Sequence, residues 1–198
     1  MDTKFFKVPQ SRPRIWIACV RCDVLDGPMV WPKPSTTPCI AIDDMLGRRP
    51  PRAQVEAALP PESQANSRAN TIRSLDLIRK GGTDPLRSTY IIDIDHSKSR
   101  GGTRMLGCSP CLTRSRAITG GHWISTHGRR LSTSEMLQLQ NMRTDRLEVP
   151  DSVPPAAFRG MIGNSMSVNV VEALLAMLSK AAPQVMRAGT LPDRWSAT

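Results

Sequence analysis

Aromatic side chains make up only 4% of this 198-residue chain, hydrophobic residues reach 39%, and 17 prolines interrupt whatever regular structure forms. That excludes a core built on large rings. It predicts one domain, or one and a part, with long irregular connections and a core completed by something else. No apolar run approaches the ~20 residues of a membrane span, and Met1 to Lys7 lack the apolar core of a signal peptide. Five cysteines, an odd number, do not make a disulfide framework and fit a reducing compartment. The chain is therefore expected to be intracellular, in the nucleus or an organelle of a eukaryote or the cytoplasm of a bacterium. No internal repeat is present.

Acids are also scarce: 17 against 27 basic residues give a net charge of +10 and a pI near 10.1. The basic residues are mostly arginine, and Arg100, Arg104, Arg114, Arg116, Arg129, Arg130, Arg143 and Arg146 fall in one stretch with few acids. Clustered cations release counterions from phosphate backbones, and the planar guanidinium suits phosphates and guanine edges. A nucleic acid is the expected partner.

Ile15 to Val20 reads as a strand buried on both faces. Residues 27 to 70 are Pro-, Ser- and Arg-rich and predict loop, with a short helix near Arg52 to Leu59. Asn70 is placed to cap a helix from Thr71 to Lys80, with Ile72, Leu75 and Ile78 on one face and Gly81-Gly82 ending it. Tyr90 to Asp95 alternates like a strand. Ser132 and Glu135 form a capping-box pair opening a helix through about Asn141. A last helix is expected after Gly163-Asn164, with Val168, Val171, Leu174, Leu175 and Leu178 as its apolar face, Pro183 as its stop and a frayed tail beyond Ala188.

Three segments then stand out by order and separation. The first is Gln10-Ser11-Arg12-Pro13-Arg14, followed by the apolar run. The second is the capped Arg130 to Gln140 segment, and the third is Gly163-Asn164-Ser165-Met166 before a helix. Between them lie Cys111-Leu112-Thr113-Arg114 and Gly120-Gly121-His122-Trp123. Together these resemble the last three conserved motifs and the recognition region of DNA (cytosine-5) methyltransferases. The resemblance implies an α/β fold: the C-terminal portion of an S-adenosylmethionine-dependent methyltransferase with a loop-rich, partly β target-recognition region. Residues 1–26 would carry a catalytic-domain strand and 27–128 the recognition region. Residues 129–185 would return to the catalytic domain, and 186–198 would be tail.

In that family a cysteine thiolate attacks carbon 6 of a flipped cytosine, and the methyl group comes from S-adenosylmethionine. The resemblance places Gln10, Arg12 and Arg14 beside the base, where a guanidinium stabilises charge on the ring. The alternative for the arginines is internal salt bridges holding the strand, and Arg14 is the stronger candidate for the base. Gly163, Asn164, Ser165 and Met166 would touch the cofactor through backbone amides at a helix N-terminus; a plain Asn cap is the alternative. Thr113, Arg114, Arg116, Gly120 and Gly121 would contact double-stranded DNA.

The family's Phe-x-Gly-x-Gly cofactor loop, its Pro-Cys nucleophile followed by Gln, and its Glu-Asn-Val segment do not occur in this sequence, and Lys7 stands where the family commonly has glycine. Pro38-Cys39 and Pro110-Cys111 lack the context of the nucleophile. The expectation is a C-terminal half, inactive alone, that needs an N-terminal half in the same or a second chain. Its exposed Val171, Leu174, Leu175 and Leu178 would make it behave poorly in isolation. The rival is a non-enzymatic basic nucleic-acid-binding module with a zinc site at Cys19, Cys22, Cys108 and Cys111. Cysteines three apart on a strand point to opposite faces, which argues against it. His96, His122 and His127 show no metal spacing; His122 is expected to be structural or DNA-facing, and Asp93 and Asp95 to be solvated strand-edge residues.

Overall fold

Four short antiparallel strands form one sheet in the order β2-β1-β3-β4, with β1 at Tyr90–Ile92, β2 at Arg104–Leu106, β3 at Trp123–Ile124 and β4 at Arg129–Arg130. The computed structural model describes residues 1–37, 39–97 and 101–184. Pro38, Arg100 and the tail beyond Ala188 lie outside the described residues.

Strand alternation divides the sheet's side chains between two layers. Ile91 and Ile124 face each other across β1 and β3 and enter a core with Leu112, Leu131, Met136, Leu139 and Ile162. Four helices supply that layer: α1 (Ile42–Met45), α4 (Arg114–Ile118), α5 (Thr133–Gln138) and α6 (Pro155–Asn164). Ile92 and Trp123 point the other way and pack with Ile94 and Ile78, the last on helix α3 (Ala65–Lys80). A short helix, α2 (Arg52–Ala57), stands where the sequence predicts one. The mixture of helices and a small antiparallel sheet agrees with an α/β methyltransferase fragment.

Helix α3 begins at Ala65, well before Asn70. Asn70 is interior, and its Nδ2 donates to the carbonyls of Ile94 (2.9 Å) and His96 (3.0 Å). The buried face is Asn70, Thr71, Ser74 and Ile78, while Ile72 is exposed. Polar side chains that find buried partners thus set the helix face. The C-terminus follows expectation: Gly81 caps the helix and Gly82 takes φ 82°. The capping box of α5 also forms, with Glu135 N donating to Ser132 Oγ (3.2 Å) and Ser132 N donating to Glu135 Oε2 (2.7 Å). That helix ends at Gln138, and Asn141 turns left-handed at φ 55°.

Two expectations fail. Ile15 to Val20 forms no strand, because no neighbouring strand pairs with it among the described residues. The segment is irregular, with Trp16 and Ala18 packed inward, while Ile15 and Ile17 remain 94% and 86% exposed. The last helix, α7 (Val168–Ala181), starts three residues later than a helix beginning directly after Asn164, because Gly163 and Asn164 are the final residues of α6. Pro155 opens α6 at a position that tolerates a missing N–H.

The face of α7 is covered by the chain itself. Val170, Leu174 and Met177 are buried against Phe6, Met1, Trp16 and Met29. Of the four residues expected to be exposed, only Leu175 is largely open. The sequence boundary at residue 128 falls inside the β3–β4 hairpin, and α5 and α6 share the core of the sheet. Only α7 and the N-terminal segment form the second cluster.

Candidate active site

The Gln10 to Arg14 segment is held by Asp2 and by the loop at Ser109. Asp2 accepts from Arg12 N (2.7 Å) and from Ser11 Oγ (3.1 Å). Ser11 N donates to Ser109 O (2.8 Å) and Ser109 N to Pro9 O (2.7 Å), so the segment docks parallel to the loop before α4. Upstream, Lys7 closes the 3-10 turn Thr3–Phe6 at φ 68°, a left-handed position suited to glycine.

The two arginines diverge from that backbone. Arg12 is buried, and its guanidinium donates to Leu112 O (2.6 Å), Ser165 O (2.7 Å) and Gly163 O (3.0 Å). Burial pulls its pKa below the ordinary arginine value, yet a guanidinium remains charged. Its oxygen partners are carbonyls rather than the carboxylates of a salt bridge, and its Nη1 also lies 3.5 Å from Cys111 Sγ. Arg14 is exposed; its Nη1 donates to Pro13 O (2.7 Å) and its Nη2 lies 3.4 Å from Cys111 Sγ. Gln10 is fully buried, and neither amide atom has a partner among the described residues.

A cleft of about 200 Å³ opens beside Arg14, lined by Arg12, Arg14, Trp16, Asn164, Ser165 and Met166 together with Met1, Thr3, Ile15, Ser167 and Val170. It unites the first and third motifs, roughly 150 residues apart in sequence. None of its lining residues is acidic. Ser167 is the N-cap of α7, and its Oγ donates to Gln140 Oε1 (3.1 Å) and meets Thr3 Oγ1 at 3.0 Å. The helix N-terminus expected at Gly163-Asn164 therefore enters the cleft at Ser167 instead.

Gly163 does not line the cleft. A Cβ there would stand 2.6 Å from Thr113 O and 2.7 Å from Arg114 Cα, so glycine lets α6 lie against α4. Sequence reasoning missed Trp16, Ser167, Val170 and Thr3. Their signal was the apolar run and the serine before the α7 valines, which acquire a meaning only when the two segments meet.

The residues expected to contact DNA separate into exposed and ion-paired or buried groups. Thr113 and Arg114 are exposed at the start of α4. Arg116 is committed to Asp93 (Nε–Oδ1 2.7 Å), Arg130 to Asp95 (Nη2–Oδ1 2.7 Å) and Arg129 to Glu135 (2.7 Å). Gly120 and Gly121 turn at φ 100° and 76° between α4 and β3, and Gly121 is buried. Asp93 and Asp95 are thus mostly buried ion-pair partners, not solvated edge residues. Burial raises the Asp95 pKa, but hydrogen bonds from Arg130, Thr119 and Ser67 outweigh it and hold the group at about 2.

His122 is 1% exposed, and burial lowers its pKa, so it is an interior residue rather than a DNA-facing one. His127 Nε2 meets Gly47 O at 2.9 Å, a structural contact. Cys19, Cys22 and Cys39 are exposed and Cys108 and Cys111 half-buried. Among the described residues no group of three or more His, Cys, Asp or Glu is placed to hold a metal ion, so the four-cysteine zinc site is not assembled. Burial raises the Cys39 pKa, the opposite of an activated nucleophile. No single described helix is long and apolar enough to cross a membrane.

The profile of the C-5 cytosine-specific DNA methylase family matches residues 1–180, a span that contains all three motifs and every residue lining the cleft. No curated protein and no solved structure matches the chain. Because the match covers most of its length, the chain belongs to the C-5 cytosine-specific DNA methylase family.

Proposed function

We propose that this chain supplies the DNA-recognition surface and one wall of the active site of a DNA cytosine-5 methyltransferase that uses S-adenosylmethionine. The nucleophile and the main cofactor loop would come from another part of the same protein or from a second chain. The observation that carries this reading is the acid-free cleft in which Arg14 meets the Asn164 to Ser167 turn.

Arg14 is the exposed cation at that cleft, and Arg12 is occupied by backbone carbonyls. Charge developing on a cytosine flipped out of the duplex would be stabilised by the Arg14 guanidinium without proton transfer. The cleft's ~200 Å³ is below the roughly 300–1,000 Å³ of complete ligand sites, so its residues fit one end of the cofactor rather than all of it. Trp16, Met166 and Val170 offer apolar contact, and the N-terminus of α7 at Ser167 offers a favourable place for a carboxylate. S-adenosylmethionine, when bound, supplies the methyl group. Exposed Thr113 and Arg114 are the recognition residues best placed for DNA, with Arg116 and the Gly120-Gly121 turn shaping the loop.

The open faces of Ile15 and Ile17 support the need for a complementary part, since exposed apolar side chains on backbone without strand partners are a surface for another element. The test is labelled-methyl transfer from S-adenosylmethionine to mixed-sequence duplex DNA. The chain is assayed alone and fused behind an N-terminal half of a family member. Transfer is expected only in the fusion, falling by about 10²–10³ with Arg14→Ala. Activity in the chain alone would contradict the need for a complement, and an Arg14→Ala fusion with full activity would contradict the site.

A further inference from the structure

The residue that ties the recognition loop to the cofactor-side turn is Arg12. Its Nη1 donates to Leu112 O, immediately before Thr113 and Arg114; its Nη2 donates to Ser165 O and Gly163 O, at the turn that enters the cleft. These carbonyls belong to segments about 50 residues apart in sequence, and one buried cation satisfies all three. Charge-assisted bonds are roughly twice as strong as neutral ones. Breaking either set would leave buried carbonyls unpaired and a buried charge undercompensated. The α4–α6 contact reinforces the link, since Gly163 already lies against Thr113 O and Arg114. Neither segment can shift alone without breaking this arrangement.

We propose that Arg12 is a positioning residue that couples the two segments, so that duplex DNA docking at Thr113 and Arg114 orders the Gly163 to Ser167 turn. This rests on the DNA-binding reading above. The chain of contacts is short: Thr113, Leu112 O, the Arg12 guanidinium, Ser165 O, the cleft. Lysine retains the charge but offers its donors from one point, and it cannot span carbonyls on two segments as the fork does.

The test is deuterium uptake by the peptide covering residues 161–167, with and without duplex DNA, in the wild-type chain and in Arg12→Lys and Arg12→Gln. In the wild type the duplex should slow uptake there by at least about threefold, a local-opening effect. Arg12→Lys should still bind the duplex, by fluorescence anisotropy, and lose that duplex-dependent protection. A purely structural role would instead raise uptake equally with and without DNA and leave the difference unchanged. Protection retained in both variants, or absent from a wild type that binds DNA, overturns the coupling alone. A wild type that binds no duplex overturns the DNA-binding reading, and the coupling with it.

Discussion

The four-stranded sheet and the Ile15 to Val20 segment show opposite degrees of completion. Around β1 and β3 both faces are covered: Ile91, Ile92 and Ile124 have no solvent exposure, and helices lie on each side. Ile15 to Val20 has comparable apolar character, yet only its Trp16 and Ala18 side packs, against α7. Composition does not separate the two regions; the availability of neighbours does. A short apolar run becomes a strand when backbone partners exist, and here they exist for Tyr90–Ile92 and not for Ile15 to Val20.

The largest effect should come from removing side chains on the finished side. Ile124→Ala should cost about 2–5 kcal/mol, read by denaturant unfolding, whereas Ile17→Ala should stay within about 0.5 kcal/mol. A comparable loss at Ile17 would mean that its face is covered in solution and would dissolve the contrast.

The next effect is electrostatic and also belongs to the sheet. Asp95 has a folded pKa of about 2 against an ordinary value of 3.8, owing to Arg130, Thr119 and Ser67. The folded state therefore binds the proton less readily than the unfolded one. Its contribution, roughly 2 kcal/mol at most, is fully present above pH ~5. It is lost as the pH falls from about 4 to about 2. Asp95→Asn should flatten that part of the stability–pH curve; an unchanged acid limb would show that the pair contributes nothing.

The smallest effect sharpens the other side. Lys7 sits at φ 68°, so Lys7→Gly should remove left-handed strain of roughly 1–2 kcal/mol, partly offset by the extra freedom glycine has when unfolded. A rise in melting temperature of a few degrees at most is expected, and a fall would show that Lys7 makes compensating contacts.

Much of this was legible in the residues where the controlling interactions are local. The α5 capping box, the Gly81-Gly82 stop and the short α2 helix depend on neighbours within a few positions, and the Tyr90 strand was legible through its alternation although its partners lie at Arg104–Leu106 and Trp123–Ile124. Asn70, Asp93 and Asp95 were misread because distant partners fix each of them: Ile94 O, Arg116 and Arg130. The candidate site was legible as three motifs, and the structure brings Arg14 together with Asn164, Ser165 and Met166. Trp16 and Ser167 were not legible, because pocket lining is a property of two segments meeting. The start of α7 was misplaced because Gly-Asn also serves as the close-packed end of the preceding helix.

The contrast between the covered sheet and the open Ile15 to Val20 segment is measured by amide hydrogen exchange on the chain alone. The Ile91, Ile92 and Ile124 amides should exchange slowly, near the rate set by global unfolding, and the Ile15 to Val20 amides should exchange at the rate of open backbone. Slow exchange across Ile15 to Val20 would contradict the account, because it would mean that this segment has already found its partner.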